Sequence, residues 1–175
     1  MTTVIDNGSA TPGDAQPFVT LRLVGAIAEL GLNSGPLNLV NKEMLRDFNR
    51  ILGEVAERPE IRCLILHGGN ARAFCAGSDI RELEQLRQDA SEQKILFEDM
   101  VLRRLARMPV PTIAAIDGPA LGGGLEIALA CDLRVCKTGV ELGLTESRLG
   151  GLGQRLHSAD AAGRTGAREG TALHR

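Results

Sequence analysis

The chain has 175 residues, 43% of them apolar and 24% charged, and this composition predicts one soluble globular domain with a sizeable core. Aromatic residues make up only 2% of the chain and the formal net charge is -2. Neither base stacking nor attraction to phosphate backbones or anionic lipid is therefore expected. We expect no nucleic-acid partner and no membrane partner.

The cysteine pattern and the N-terminal composition favour a particular compartment. The four cysteines form no C-x-x-C pair, so neither a metal site nor a disulfide framework is expected. Residues 1–17 contain no Lys or Arg and are rich in Gly, Pro, Ser, Thr and Asp, which predicts a flexible leader rather than a targeting peptide. The cytoplasm is the expected location.

The first elements in chain order are two strands, a helix and a strand. From Phe18, the segment FVTLRLVGAIAELGLN alternates apolar and polar residues around Val24-Gly25, which predicts a β-hairpin. The following segment NKEMLRDFNRILGEVAERPE predicts an amphipathic helix that ends by Pro59, and IRCLILHGG predicts a buried strand. The apolar stripe of that helix consists of Met44, Leu45, Phe48, Ile51, Leu52 and Val55.

The second half continues the alternation. A helical segment runs from about Ile80 to Met108, and Pro109 and Pro111 end it. A strand (TIAAID), a helix (GGGLEIALACD) and a strand (LRVCKTG) follow. Strands alternating with helices imply parallel pairing through crossover connections, so the predicted fold class is α/β. Beyond residue 150 no helical or strand period is present, which predicts a poorly ordered tail over 151–175.

Three consecutive glycines, Gly122 to Gly124, stand where a helix is predicted to begin. Their spacing fits neither a dinucleotide fingerprint nor a P-loop. The remaining alternatives are an oxyanion hole, in which backbone N–H groups stabilise a charged carbonyl oxygen, and simple close packing of a helix against a sheet. The residues of the glycine stretch taken alone leave both alternatives open.

Two other loops are expected beside this stretch. AFCAGSD follows the strand IRCLILHGG, and loops at the carboxyl ends of strands line the crevice of an open α/β sheet. Glu126 follows the glycines, and Glu146 lies in GVELGLTESRLG after the next strand. Two carboxylates beside an oxyanion hole would suit proton transfer at a carbon next to a carbonyl.

Three motifs closely resemble, in their order, those of the enoyl-CoA hydratase/isomerase (crotonase) family: RAFCAGSDI, MPVPTIAAIDGPALGGGLEIALACDLRV and LGLTESRLG. The segment AIAELGLNSGPLNLVNKEM also resembles the opening hairpin and CoA-binding turn of this family. The resemblance covers residues 18–150 and implies a spiral of repeated ββα units that binds an acyl-CoA thioester, with no cofactor besides this substrate. After residue 150 the family's glycine-rich loop and C-terminal helical domain are not matched, so the C-terminal part is expected to be truncated or aberrant.

The resemblance also implies roles for individual residues. The two oxyanion donors are expected to be the N–H groups of Ser78 and Gly123, and the two acid–base residues Glu126 and Glu146. The carbonyl of Ala76 is expected to contact the adenine. The residues expected along the coenzyme A are Leu37, Asn38, Ala76, Gly77, Asp79 and Ile80.

Both glutamates together favour a hydratase, which adds water syn across the C2=C3 bond of a trans-2-enoyl-CoA in fatty acid metabolism. An isomerase, a carnitinyl-CoA-type dehydratase and a catalytically weak CoA-binding remnant are the alternatives. Family members form trimers or hexamers, so a homo-oligomer is a further expectation. Cys75, Cys131 and His67 are expected to be structural, and Asp79 is expected to cap the following helix.

Overall fold

The computed structural model describes residues 16–85 and 88–144. The predicted leader, apart from Gln16 and Pro17, and the predicted tail lie outside these residues. The strands are β1 (Val19–Val24), β2 (Ile27–Leu32), β3 (Cys63–His67), β4 (Thr112–Ile116), β5 (Ala120–Leu121), β6 (Leu133–Cys136) and β7 (Leu142–Gly143). The helices are α1 (Lys42–Ala56), α2 (Ile80–Gln85), α3 (Gln88–Ala106) and α4 (Gly123–Leu129).

The main sheet has the order β1-β2-β3-β4-β6. Strands β1 and β2 form the predicted antiparallel hairpin, and Gly25 has the positive φ of 60° that the first loop residue of a type II′ turn requires. The pairs β2·β3, β3·β4 and β4·β6 are parallel, as crossover connections through helices dictate. The α/β prediction is confirmed.

Helix α1 covers the hairpin side of the sheet and contacts both β1 and α3. It begins after Asn41, whose side-chain oxygen accepts a hydrogen bond from the N–H of Met44 at 2.8 Å. The whole predicted apolar stripe of this helix is buried, in a core shared with the alternate residues of β1, β3 and β4. This packing fixes the ends of the strands from which the site loops emerge.

A small second layer forms beyond the ends of the main strands. Strand β5 pairs in parallel with β7, which joins the glycine stretch to the segment that leads toward Glu146. The sequence did not predict these two-residue strands, because elements this short carry no periodicity. None of the helices in the described part of the chain has the length and apolarity needed to cross a membrane.

Candidate active site

The loop over residues 72–79 lies between two other segments and is hydrogen-bonded to both. On one side it pairs with residues 36–40, and the predicted CoA-binding residues are thereby brought together. Leu37 and Ile80 remain well exposed there, with 41% and 47% of their surface accessible. The bonds on this side join Arg72 N to Pro36 O, Ala76 N to Leu37 O, Val40 N to Gly77 O, and Asp79 N to Val40 O, all at 2.9 to 3.0 Å.

Asn38 is the centre of this turn. It is fully buried and has a φ of 49°. Its side-chain nitrogen Nδ2 donates to the carbonyl oxygens of Gly68, Ala73 and Phe74. Its side-chain oxygen Oδ1 accepts a hydrogen bond from the N–H of Ser34. The side chain therefore holds the turn in shape. Its predicted place along the coenzyme A stays a prediction that only its backbone could fulfil.

Asn38→Ala is expected to lower the free energy of unfolding by about 2 to 3 kcal/mol. Three buried carbonyl oxygens lose a donor, and Asn tolerates a positive φ better than Ala does. Denaturant unfolding measures the change, with the exposed Asn33→Ala, which removes one hydrogen bond to Pro17, as the control. Equal stability of the two variants would contradict the role given to Asn38.

On its other side the same loop pairs with the glycine stretch. Cys75 accepts a hydrogen bond from Leu121 N at 2.9 Å and donates one to Pro119 O at 3.2 Å. A Cβ placed on Gly77 would lie 3.8 Å from Gly123 N, and a Cβ placed on Gly123 would lie 3.6 Å from Ser78 Oγ. The two loops expected to meet at the sheet edge do meet there.

The N–H groups of Ser78 and Gly123 are the predicted donors. Among residues 16–85 and 88–144, neither of these N–H groups donates a hydrogen bond to a backbone or side-chain acceptor. Gly123 is the first residue of α4, where a backbone N–H has no partner within the helix. Within the described part of the chain, both N–H groups therefore remain available to a ligand.

The glycines of this stretch divide into two kinds. Gly122 has a positive φ of 51°, and a Cβ on Gly118 or Gly124 would collide with the backbone of the 72–79 loop. For a Cβ on Gly123, the three nearest atoms in the described part of the chain belong to the side chains of Glu98, Ser78 and Val40. Close packing thus explains Gly118 and Gly124, and the positive φ explains Gly122, whereas the Cβ position of Gly123 lies near the side chain of Ser78, the other predicted donor residue.

Glu126 lies one helical turn beyond Gly123 on α4. It is buried, with 6% of its surface accessible, and its N–H donates to Gly122 O at 3.1 Å. Residues three apart on a helix share a face, so its side chain projects on the same side as the Cα of Gly123. Glu126 is therefore not a solvent-facing residue of the helix.

Glu146 lies outside the described residues. The chain that leads to it is fixed, because Gly122 N donates to Gly143 O at 2.8 Å and Ala120 N donates to Glu141 O at 2.9 Å. The pairing of Glu126 with Glu146 stays a prediction.

Helix α3 contributes buried polar residues that the sequence analysis missed. Lys94 and Glu98 are buried one turn apart, in line with the buried Val101, Leu102 and Leu105. Extending this stripe backward in steps of three and four would have found them. The apolar side chains of Ile95 and Leu96, in contrast, are exposed.

The Lys94 side chain contacts two segments beside the predicted site, the turn at Val40 and the helix α2. Its Nζ lies 2.9 Å from Glu82 Oε2 and donates to Val40 O at 3.2 Å. Glu82 Oε1 in turn accepts the N–H of Lys42 at 3.1 Å. Asp79 caps α2 as predicted, because its Oδ1 accepts the N–H of Arg81 at 3.0 Å. The turn at 37–42 and the loop that carries Ser78 are therefore held in one position.

The cysteines and His67 have the structural positions expected of them. Cys75 and Cys131 are buried, and burial raises the pKa of each thiol to about 12. His67 ends β3, and its Nδ1 accepts the N–H of Gly69 at 3.0 Å. None of these side chains is placed to act as a nucleophile or a base.

Thiol labelling should follow this burial. In the native protein at pH 8 we expect a disulfide reagent to modify the exposed Cys136 first, and Cys75 and Cys131 only after unfolding, because a thiol with a pKa of about 12 is almost entirely protonated there. Mass spectrometry locates the label, and Cys136→Ser removes the fast phase. Fast native labelling of Cys75 would contradict this assignment.

The fold and the paired loops define an α/β protein of the crotonase fold. The family model described as enoyl-CoA hydratase/isomerase matches residues 23–169, which extends beyond Gly150. The chain belongs to the enoyl-CoA hydratase/isomerase family. The resemblance on which the sequence analysis rested is thereby confirmed.

Individual relatives and structures agree with this membership. The chain is 44% identical over 112 residues to the putative enoyl-CoA hydratase/isomerase YngF of Bacillus subtilis, covering 64% of this chain and 43% of that protein. It is 37% identical over 139 residues to the mitochondrial methylglutaconyl-CoA hydratase of Mus musculus, covering 76% and 44%. An enoyl-CoA hydratase structure from Geobacillus kaustophilus superposes with a TM-score of 0.78 at 31% identity, covering 86% and 55%. The chain spans about half the length of the curated relatives it matches.

Proposed function

We propose that this chain provides the acyl-CoA site of an enoyl-CoA hydratase, which adds water syn across the C2=C3 bond of a trans-2-enoyl-CoA. The close approach of the loops that carry Ser78 and Gly123 supports this proposal, because neither backbone N–H has a hydrogen-bond partner among the described residues. Two such donors stabilise the negative charge that develops on a thioester oxygen, an effect worth several kcal/mol at the transition state.

The glutamates supply the proton transfers in this proposal. Glu126 orients the water and removes its proton as the oxygen bonds to C3, and the electron pair of the double bond moves toward the thioester oxygen. Glu146 then delivers a proton to C2, which restores the carbonyl and leaves a 3-hydroxyacyl thioester. The burial of Glu126 beside Gly123 supports its part in this sequence.

The CoA moiety is proposed to lie along Leu37 and the 76–80 segment, with the Ala76 carbonyl accepting a hydrogen bond from the adenine. The exposure of Leu37 and Ile80 beside the loop supports this placement, because their side chains offer apolar surface to a ligand. A cytoplasmic location and a homo-oligomeric assembly remain predictions.

Loss of crotonyl-CoA absorbance tests the function with the purified chain. The expected result is turnover above the buffer rate, reduced at least about 100-fold in Glu146→Gln, since an amide cannot deliver the proton. Equal rates for the two proteins, or no rate above buffer, would contradict the hydratase proposal. Binding of CoA without turnover would favour the alternative of a CoA-binding module.

A further inference from the structure

Glu98 is a buried carboxyl group that the proposed reaction does not use. Only 4% of its surface is accessible, and it projects from α3 toward the start of α4. Its Oε1 lies 2.9 Å from the position that a Cβ on Gly123 would take. Ser78 Oγ and Val40 Cγ2 lie 3.6 and 3.9 Å from the same point, so Glu98 stands beside both predicted donors.

This position brings the carboxyl group close to the reacting part of a bound substrate. A thioester oxygen that accepts the Gly123 N–H lies about 2.9 Å from that nitrogen, which is itself about 2.5 Å from the Cβ position of the same residue. Together with the 2.9 Å from that position to Glu98 Oε1, these distances place the thioester oxygen no more than about 8 Å from the carboxyl group, so an acyl carbon beside the thioester can lie next to it. Burying a carboxyl group is costly, and an aliphatic side chain would fill the same space without that cost.

A carboxylate binds hydrogen-bond donors of a ligand, such as a hydroxyl group. Its two oxygens offer about four acceptor sites, so hydrogen bonds within the protein leave capacity for a ligand. A site built to bind a substrate hydroxyl discriminates strongly against an analogue that lacks it, whereas an apolar pocket discriminates weakly against an added hydroxyl. A carboxyl group beside the acyl carbons therefore alters substrate preference more than an aliphatic residue would.

We propose that Glu98 is a specificity-determining residue that accepts a hydrogen bond from a hydroxyl group on the acyl chain, close to the reacting carbons. The preferred substrates are then hydroxylated enoyl-CoA thioesters rather than plain alkyl ones. This inference rests on the proposed function for the placement of the thioester at Gly123. It assigns Glu98 no proton transfer in the reaction.

Saturated analogues test the assignment without turnover. Calorimetry measures the Kd of hexanoyl-CoA and of 2-hydroxyhexanoyl-CoA for the wild-type chain, Glu98→Leu, Glu98→Gln and the exposed control Glu60→Gln. We expect the wild type and the control to bind the hydroxylated analogue at least about tenfold more tightly. In Glu98→Leu the preference should disappear or reverse, and in Glu98→Gln it should fall at least about threefold, because the neutral amide oxygen is a weaker acceptor.

The outcomes separate this inference from the hydratase proposal. An equal Kd ratio in the wild type and in a folded Glu98 variant would overturn the role of Glu98, whatever the turnover rate. Glu98→Gln preserves the shape of the side chain, so it decides the question if Glu98→Leu does not fold. A ratio that depends on Glu98, in a chain that does not hydrate crotonyl-CoA, supports the specificity role and contradicts only the hydratase. Failure of both analogues to bind would overturn both proposals.

Discussion

Glu126→Gln is expected to lower kcat for the hydration of crotonyl-CoA by about 10²- to 10⁴-fold, the range that a positioned general base contributes. The amide fills the same space but cannot take a proton from water. Because Glu126 is not among the residues proposed to bind CoA, the Kd for CoA should change less than twofold. The comparison of kcat with Kd therefore isolates the chemical step.

The control for this substitution is Glu141→Gln, which removes a carboxylate from an exposed position near β7. It should leave kcat unchanged, and both variants should unfold at the temperature of the wild type within a few degrees. A Glu126→Gln protein that keeps more than a tenth of the wild-type kcat would exclude this glutamate as the base.

Gly124→Ala is expected to destabilise the fold by more than about 3 kcal/mol, since overpacking against backbone leaves no side chain free to move aside. A Cβ at this position would overlap the carbonyl oxygen of Cys75, and the carbonyl carbon and Cβ of Cys75 would both be 2.7 Å away. Helix propensity alone predicts the opposite sign, because Ala favours a helix over Gly by about 1 kcal/mol. The sign of the change therefore decides between the two effects.

Gly143→Ala is the matched control. Gly143 lies in the neighbouring strand β7, and the one contact of its added Cβ with the described residues would be with Leu121 Cδ2, at an ordinary distance of 3.7 Å. Urea unfolding of the two variants should show a large loss of stability for Gly124→Ala and a change within about 1 kcal/mol for Gly143→Ala. Equal stabilities would mean that α4 does not pack on the 72–79 loop as described.

The sequence predicted the secondary structure correctly wherever an element was long enough to show hydrophobic periodicity. The hairpin around Gly25, the stripe of α1 and the order of the parallel strands follow from alternation, amphipathicity and crossover connections. The two-residue strands β5 and β7 do not, because their pairing arises from contacts between loops that are distant in the chain.

The candidate site was readable only in part. Its loops were expected to meet because the carboxyl ends of parallel strands lie at the same edge of the sheet. Which glycine is needed for close packing depends on the atoms that a Cβ at each position would contact, and the sequence does not show these atoms. The positions of Lys94 and Glu98 on the apolar stripe of α3 indicate burial, but their charge argues against it. Charged residues are rarely buried without a partner, and the partner of Lys94, Glu82, lies on a separate helix.

In the proposed function, the N–H groups of Ser78 and Gly123 bind the thioester oxygen of an acyl-CoA. Infrared difference spectroscopy of hexanoyl-CoA labelled with ¹³C at the thioester carbonyl measures this directly, because hydrogen bonding to the oxygen weakens the C=O bond. We predict a carbonyl stretch at lower frequency in the complex than in water. A bound thioester whose carbonyl absorbs at or above its frequency in water would contradict the oxyanion hole, and with it the reaction proposed for this site.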